Sequence, residues 1–119
     1  MENTYDELCQ RIFDVNPGIR FAGILGRNGD LVAGGNKQDI PSLLLPQEAK
    51  MSLHYAAKRW ETRRNLSHRI GNVKYSFTEY EKIKQISIPL NHTELLLISM
   101  ETKLDFDEVL PVVLGIIKK

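Results

Sequence analysis

Two nearly unbroken apolar runs, Ile19 to Gly26 and Leu95 to Met100, constrain this 119-residue chain more than any other feature. A strand that is apolar on both faces must be covered on both, so each run belongs in the middle of a sheet with helices above and below it. Other segments keep a period of two. Val73, Tyr75 and Phe77 alternate with Lys74, Ser76 and Thr78, which predicts a half-buried strand over Val73–Tyr80. After a turn at Glu79-Tyr80-Glu81, Ile86, Ile88 and Leu90 share one face of a strand from Lys82 to Leu90, and Asn91-His92-Thr93 turns into the second apolar run. The first run leads into Arg27-Asn28-Gly29-Asp30, whose Asn-Gly pair favours a type I′ turn, and then into Leu31-Val32-Ala33, completing a hairpin.

Three segments carry the helical period. Thr4 followed by Glu7 reads as a capping box, with Tyr5, Leu8, Cys9 and Ile12 on one face and Asn16-Pro17-Gly18 as the stop. Pro46 and Gln47-Glu48 open a long helix to about Arg64, with Ala49, Leu53, Ala56, Ala57 and Trp60 as its buried stripe. Met51, Tyr55, Lys58 and Thr62 fall on the opposite side, where a monomer in water would carry only polar residues; this face is expected to meet a partner. Asp105 and Glu108 cap a last helix carrying Phe106, Val109, Leu110, Val113 and Ile117, with Pro111 bending it. Val112, Leu114 and Ile116 make that helix apolar nearly all round, so it is expected to lodge between the sheet and the first helix. Gly34 to Pro46 reads as a loop with one helical turn at most, its Leu43-Leu44-Leu45 packing inward.

Tight turns demand antiparallel neighbours. The expected fold is therefore one α+β domain over residues 1–119: a five-stranded antiparallel sheet in the order 2-1-5-4-3, with the long helix on one face and the terminal helices on the other. A chain this long buries enough surface to fold without staples, and its single cysteine makes no internal disulfide. With no charged-then-apolar leader and no run near membrane-spanning length, the expectation is a cytoplasmic protein with no membrane partner.

The charges are unevenly placed. Net charge is +1, but residues 54–85 carry 8 basic and 3 acidic side chains between two acidic ends. Within that stretch Lys58, Arg59, Arg63, Arg64, His68, Arg69 and Lys74 form a basic run whose plain reading is a solvated helix end favoured by the helix dipole. The functional reading is a platform for an acidic partner protein, with Arg59, Arg63, Arg64 and Arg69 as its contacts and Arg59 and Arg63 one turn apart. Nucleic acid is disfavoured by the near-zero net charge and by the lack of a base-reading motif.

No enzyme chemistry is indicated. Cys9 lies on an apolar stripe, where a buried inert thiol is expected. His54, His68 and His92 lack ligand spacing, so no metal is expected, and the glycines around the hairpin lack the Gly-Lys-Ser/Thr ending of a phosphate loop, so no cofactor is expected. Asp105, Asp107 and Glu108 are explained as helix-start carboxylates. Asn65-Leu66-Ser67 and Asn91-His92-Thr93 match glycosylation acceptors but read as turns.

The succession of elements, with Asn16-Pro17-Gly18-Ile19-Arg20 leading into Ala22-Gly23-Ile24-Leu25 and the turn Arg27-Asn28-Gly29-Asp30-Leu31-Val32, resembles the roadblock/dynein-light-chain family over nearly the whole chain. In that family a hairpin follows the first helix, and the glycine of its turn corresponds to Gly29. The resemblance implies a non-enzymatic dimer that scaffolds or regulates a small Ras-like GTPase. It also implies that the second helices pack together and the third strands pair across a two-fold axis. The dimer interface would then comprise Met51, Tyr55, Lys58 and Thr62 of the helix and Val73, Tyr75 and Phe77 of the strand. Gly34–Pro46 is longer than the family's usual link. The rival reading is accordingly a PAS- or profilin-like small-molecule sensor, its pocket between the sheet and this segment and lined by Leu43, Leu44, Leu45 and Trp60.

Overall fold

A computed structural model of the chain describes residues 4–118. The elements are α1 (Thr4–Phe13), β1 (Ile19–Leu25), β2 (Leu31–Asn36), α2 (Pro46–Arg64), α3 (Ser67–Ile70), β3 (Ser76–Glu79), β4 (Ile83–Pro89), β5 (Leu95–Glu101) and α4 (Phe106–Ile117). The strands form one antiparallel sheet in the order β2-β1-β5-β4-β3, the order the sequence predicts.

The two apolar runs are β1 and β5, and β5 is buried from Leu95 to Met100. Its residues alternate between two cores. Leu96, Ile98 and Met100 join Cys9 and Ile12 of α1 and Val109, Leu110 and Val113 of α4 in the larger cluster. Leu95 and Leu97 point the other way and meet Leu25, Ala56 and Trp60 beneath α2. Full burial of each large aliphatic side chain contributes roughly 1.5–3 kcal/mol, so the β5 row anchors both layers.

The local signals differ in how they resolve. Thr4 is the first helical residue of α1 rather than its cap, and the residue before it lies outside the described residues. Asp105 occupies the N-cap of α4 in extended geometry, but its side chain makes no capping bond. Leu45 caps α2, and its backbone N–H donates to Glu48 Oε1 at 2.9 Å. Helix α4 runs continuously through Pro111 and lies beside α1 on the sheet rather than between them, with Val112 on its open side 49% exposed.

The hairpin turn is not type I′, because Gly29 has positive φ (+89°) and Asn28 does not. The Gly29 N–H donates to the Gly26 carbonyl at 3.0 Å, and a register shift at Ile24/Leu25 follows, the pattern of a turn closed by a left-handed glycine and a bulge. A Cβ on Gly29 would lie 2.7 Å from the His54 Cα and 2.8 Å from the Leu53 carbonyl oxygen, so this turn abuts the backbone of α2. Gly34 and Gly35 belong to β2 rather than to the loop after it. A Cβ on Gly34 would meet the Ala22 carbonyl at 2.1 Å and Cys9 Sγ at 2.8 Å, which brings α1 down onto the hairpin.

The segment 37–45 contains no helical turn. Its leucines do not pack inward: Leu43, Leu44 and Leu45 are 57%, 44% and 57% exposed. The segment is a strap across one end of the sheet, held by Arg20 Nη2 donating to the Pro41 carbonyl (3.0 Å) and Lys37 Nζ to the Pro17 carbonyl (3.0 Å). Main-chain and polar contacts fix it, leaving its apolar side chains at the rim.

Gly29→Ala should lose about 1–3 kcal/mol of stability, from the strained φ and the contact with α2. Gly115→Ala, at an exposed α4 position where a Cβ meets nothing within 4 Å, should gain about 0.5–1 kcal/mol. Urea unfolding of the two variants beside the wild type measures both signs.

Candidate interaction surface

Helix α2 has 19 residues, of which only Ala56, Ala57 and Trp60 are buried. Ala49 and Leu53 of the predicted stripe are half-buried, so the helix touches the sheet along a narrow line. On the far side Met51 is 56% and Tyr55 54% exposed, as the helical spacing requires. Tyr55 stands edge-on to His54, with ring centroids 5.2 Å apart. Further along this face, Lys58 pairs with Glu61 at 3.7 Å, and the Thr62 hydroxyl donates to the Lys58 carbonyl at 3.2 Å. The polar part of the face is thus satisfied within the helix, and Met51 and Tyr55 present apolar surface to water.

The chain leaves α2 through a helical turn that the periodicity did not reveal, α3, where Leu66 (50%) and Ile70 (79%) are exposed. The Ile70 N–H donates to the Leu66 carbonyl at 3.2 Å, which places the two side chains on one face. No acidic residue occurs from position 62 to 78, while Arg63, Arg64, Arg69 and Lys74 do. Arg59 and Arg69 are exposed and Arg63 is half-buried. Arg64 is committed within the molecule: its Nη1 donates to the His92 carbonyl at 2.5 Å, tying the end of α2 to the β4–β5 turn.

β3 is shorter than the alternation predicts, and Val73 and Tyr75 precede it. Nor do the three apolar residues share one face. Val73 packs with the cluster under α2, whereas Tyr75 and Phe77 stack on Phe106 of α4, with centroids 5.7 and 4.5 Å apart. The irregular backbone between Gly71 and Tyr75 breaks the period-two geometry, so the side chains separate around the sheet edge. β3 stands at the end of the sheet and pairs with β4 on one side, so its other edge is open. Met51, Tyr55, Lys58 and Thr62 therefore share one helical face, whereas Val73, Tyr75 and Phe77 pack elsewhere, toward the cluster under α2 and onto Phe106.

Two clefts flank α2. One of about 240 Å³ lies at its C-terminal end, bordered by Trp60, Arg64, Val73 and His92. The other, about 100 Å³, lies between the sheet and the strap, with Leu43 and Leu44 at its border; Leu45 and Trp60 do not line it. Among the described residues no three His, Cys, Asp or Glu side chains gather into a group that could hold a metal ion, and no helix is long and apolar enough to cross a membrane.

Displaced titrations have structural causes. Burial, with a smaller contribution from the Asp6 charge, pushes the Cys9 thiol up to about 11, as expected for an inert core cysteine. Glu94 is held below its ordinary value by hydrogen bonds from Asn91 and then from the Tyr5 hydroxyl, and Tyr5 is raised chiefly by that same bond. These groups fasten α1 to the β4–β5 turn.

The profile of a family of unknown function, DUF6659, matches residues 2–119. No curated protein matches the chain in sequence. Among solved structures, Myxococcus xanthus MglB superposes with a TM-score of 0.76 at 13% identity, over 98% of this chain and 90% of that one. A roadblock/LC7 domain from Streptomyces avermitilis gives 0.72 at 16% identity, over 95% and 91%. Acanthamoeba castellanii profilin II gives 0.60 at 11% identity, over 98% and 93%. The fold is roadblock-like, and at these identities the likeness concerns the fold alone.

Because the Glu94 carboxylate titrates lower in the folded state, its contribution to stability is present above pH 4.5, its ordinary value, and is lost as pH falls below it. Glu94→Gln should therefore lower the urea midpoint at pH 7 and lessen the drop between pH 7 and pH 3. Equal drops in variant and wild type would remove Glu94 from the acid response.

Proposed function

The chain belongs to the DUF6659 family, and we propose that it is a non-enzymatic, homodimeric roadblock-like module that binds or regulates a small Ras-like GTPase or serves as an adaptor in a larger complex. The observation that carries this reading is the outer face of α2, where Met51 and Tyr55 each keep more than half their surface in water on a helix that buries only three residues. Apolar side chains repeated at helical spacing on a solvent face are the signature of a helix with a second partner.

A second copy satisfies this face economically. A two-fold contact places each α2 against its twin, so Met51 and Tyr55 of one protomer cover those of the other. The open edge of β3 lies at the end of the same sheet, and pairing it with another β3 would close a row of unpaired backbone groups that otherwise invites aggregation. In this arrangement Tyr75 and Phe77 support the strand from the α4 side through Phe106 rather than entering the helix contact.

Arg59, Arg63 and Arg69, in a stretch with no acidic residue from 62 to 78, suit an acidic protein surface. Arg64 acts from within, setting the angle at which α2 ends. The small-GTPase assignment rests on the family resemblance carried by the hairpin around Gly29, and the basic surface is compatible with it.

The double substitution Met51→Glu, Tyr55→Glu should convert a dimer into a folded monomer, read by light scattering after size exclusion with an unchanged circular dichroism spectrum. A dimer of unchanged stability would remove this helix face from the interface.

A further inference from the structure

The α2 side of the sheet changes character along its length. Beneath α2 the inward-facing residues are apolar: Leu95 and Leu97 of β5 and Phe21 and Leu25 of β1. One step further along β5 the same face carries Ser99, flanked in register by Phe21 on β1 and Gln85 on β4. Ser99 is only 8% exposed and, among the described residues, is the one buried residue with a polar side chain. A larger apolar residue there would continue the cluster and reduce the cleft. Instead, Ser99, Gln85 and Arg20 line a cleft of about 100 Å³ under the strap. Polar side chains at core positions of a central strand depart from the pattern of the rest of the fold, and such departures concentrate at functional positions.

These groups are incompletely used. Gln85 Nε2 reaches the Ser99 hydroxyl only at 3.4 Å, the long end of a hydrogen bond. Arg20 gives one N–H, on Nη2, to the Pro41 carbonyl at 3.0 Å, which orients the guanidinium fork toward the strap with further donors to spare. Of the side chains lining the cleft, Arg20 alone carries a formal charge. Phe21, Leu53 and Leu97 supply apolar wall on the α2 side. The strap that roofs the cleft contains Asp39 at φ +68°, the one non-glycine among the described residues with positive φ, and such strain persists where surrounding structure imposes it.

We propose that this cleft binds a short-chain monocarboxylate of the size of acetate to butyrate. The carboxylate lies on Arg20, in the charge-assisted geometry a guanidinium fork favours, with Gln85 and Ser99 as further donors and the alkyl chain against Phe21, Leu53 and Leu97. The volume sets the size class: pockets for drug-sized ligands measure roughly 300–1,000 Å³. The single positive charge with no opposing carboxylate in the lining sets the sign. This site is separate from the outer face of α2, so it stands or falls independently of dimerisation.

The test is titration of the ¹⁵N-labelled full chain with propionate, with propionamide as the neutral isostere and inorganic phosphate as an anion without an alkyl chain. The expected result is saturable shifts confined to the cleft, at Arg20, Ile83, Gln85, Leu97, Ser99 and the strap, with propionate and with neither control. Arg20→Gln should weaken propionate binding at least tenfold. Because that change also releases Pro41, Ser99→Val serves as the second variant. It adds apolar volume inside the cleft and should abolish binding while the protein keeps its fold and its urea midpoint. No saturable shift with propionate, equal shifts with propionamide or phosphate, or unchanged binding in Ser99→Val would overturn the assignment.

Discussion

The contact of Ala56 and Trp60 with Leu25, Leu95 and Leu97 is the constraint on which the rest of the molecule depends. It seats a 19-residue helix on the sheet through a cluster much smaller than the one beneath α1 and α4 on the opposite face. The small Ala56 side chain lets the helix approach the sheet, and the Trp60 indole adds the larger contact. The consequence is asymmetry: one face of the sheet is sealed by two helices, the other is covered by one helix along a line. The fold therefore leaves the outer side of α2 open and fills the strip beyond its N-terminus with a strap rather than with a helix.

The hairpin reinforces that placement from the side. The turn around Gly29 lies against the α2 backbone at Leu53 and His54, so the helix is positioned by backbone contact as well as by Trp60. At its far end Arg64 grips the His92 carbonyl of the β4–β5 turn. Three attachments thus hold α2 with little buried surface. In the proposed dimer, an already formed helix and strand would meet their twins without the cost of ordering them on binding.

Much of this was legible in the residues. The continuous apolar runs of β1 and β5 could only be central, the helical stripe ending at Trp60 identified the buried line of α2, and tight connections forced the antiparallel order. What escaped has local causes. The type I′ expectation failed because Asn-Gly serves two turn geometries, and here only Gly29 takes the left-handed conformation, closing the loop with a bulge beside α2. Leu43 to Leu45 were expected inside because they are leucines, but the strap is fixed by main-chain carbonyls bonded to Arg20 and Lys37, which needs no leucine burial. The alternation of Val73, Tyr75 and Phe77 was real, yet strand geometry begins only at Ser76, and the coil before it sends Val73 to the opposite core. The polar row of Arg20, Gln85 and Ser99 could not be seen at all without register, since its members are brought together by three different strands.

The central claim, that the outer face of α2 and the edge of β3 form one self-interface, is tested most directly by hydrogen–deuterium exchange followed as a function of protein concentration. The account predicts that amides of Ser76 to Glu79 gain protection as concentration rises, because a second β3 pairs with them. The α2 segment carrying Met51 and Tyr55 should gain protection in step, with β1 and β5 unchanged. Protection in both segments that is independent of concentration, in a chain that scatters as a monomer throughout, would contradict it.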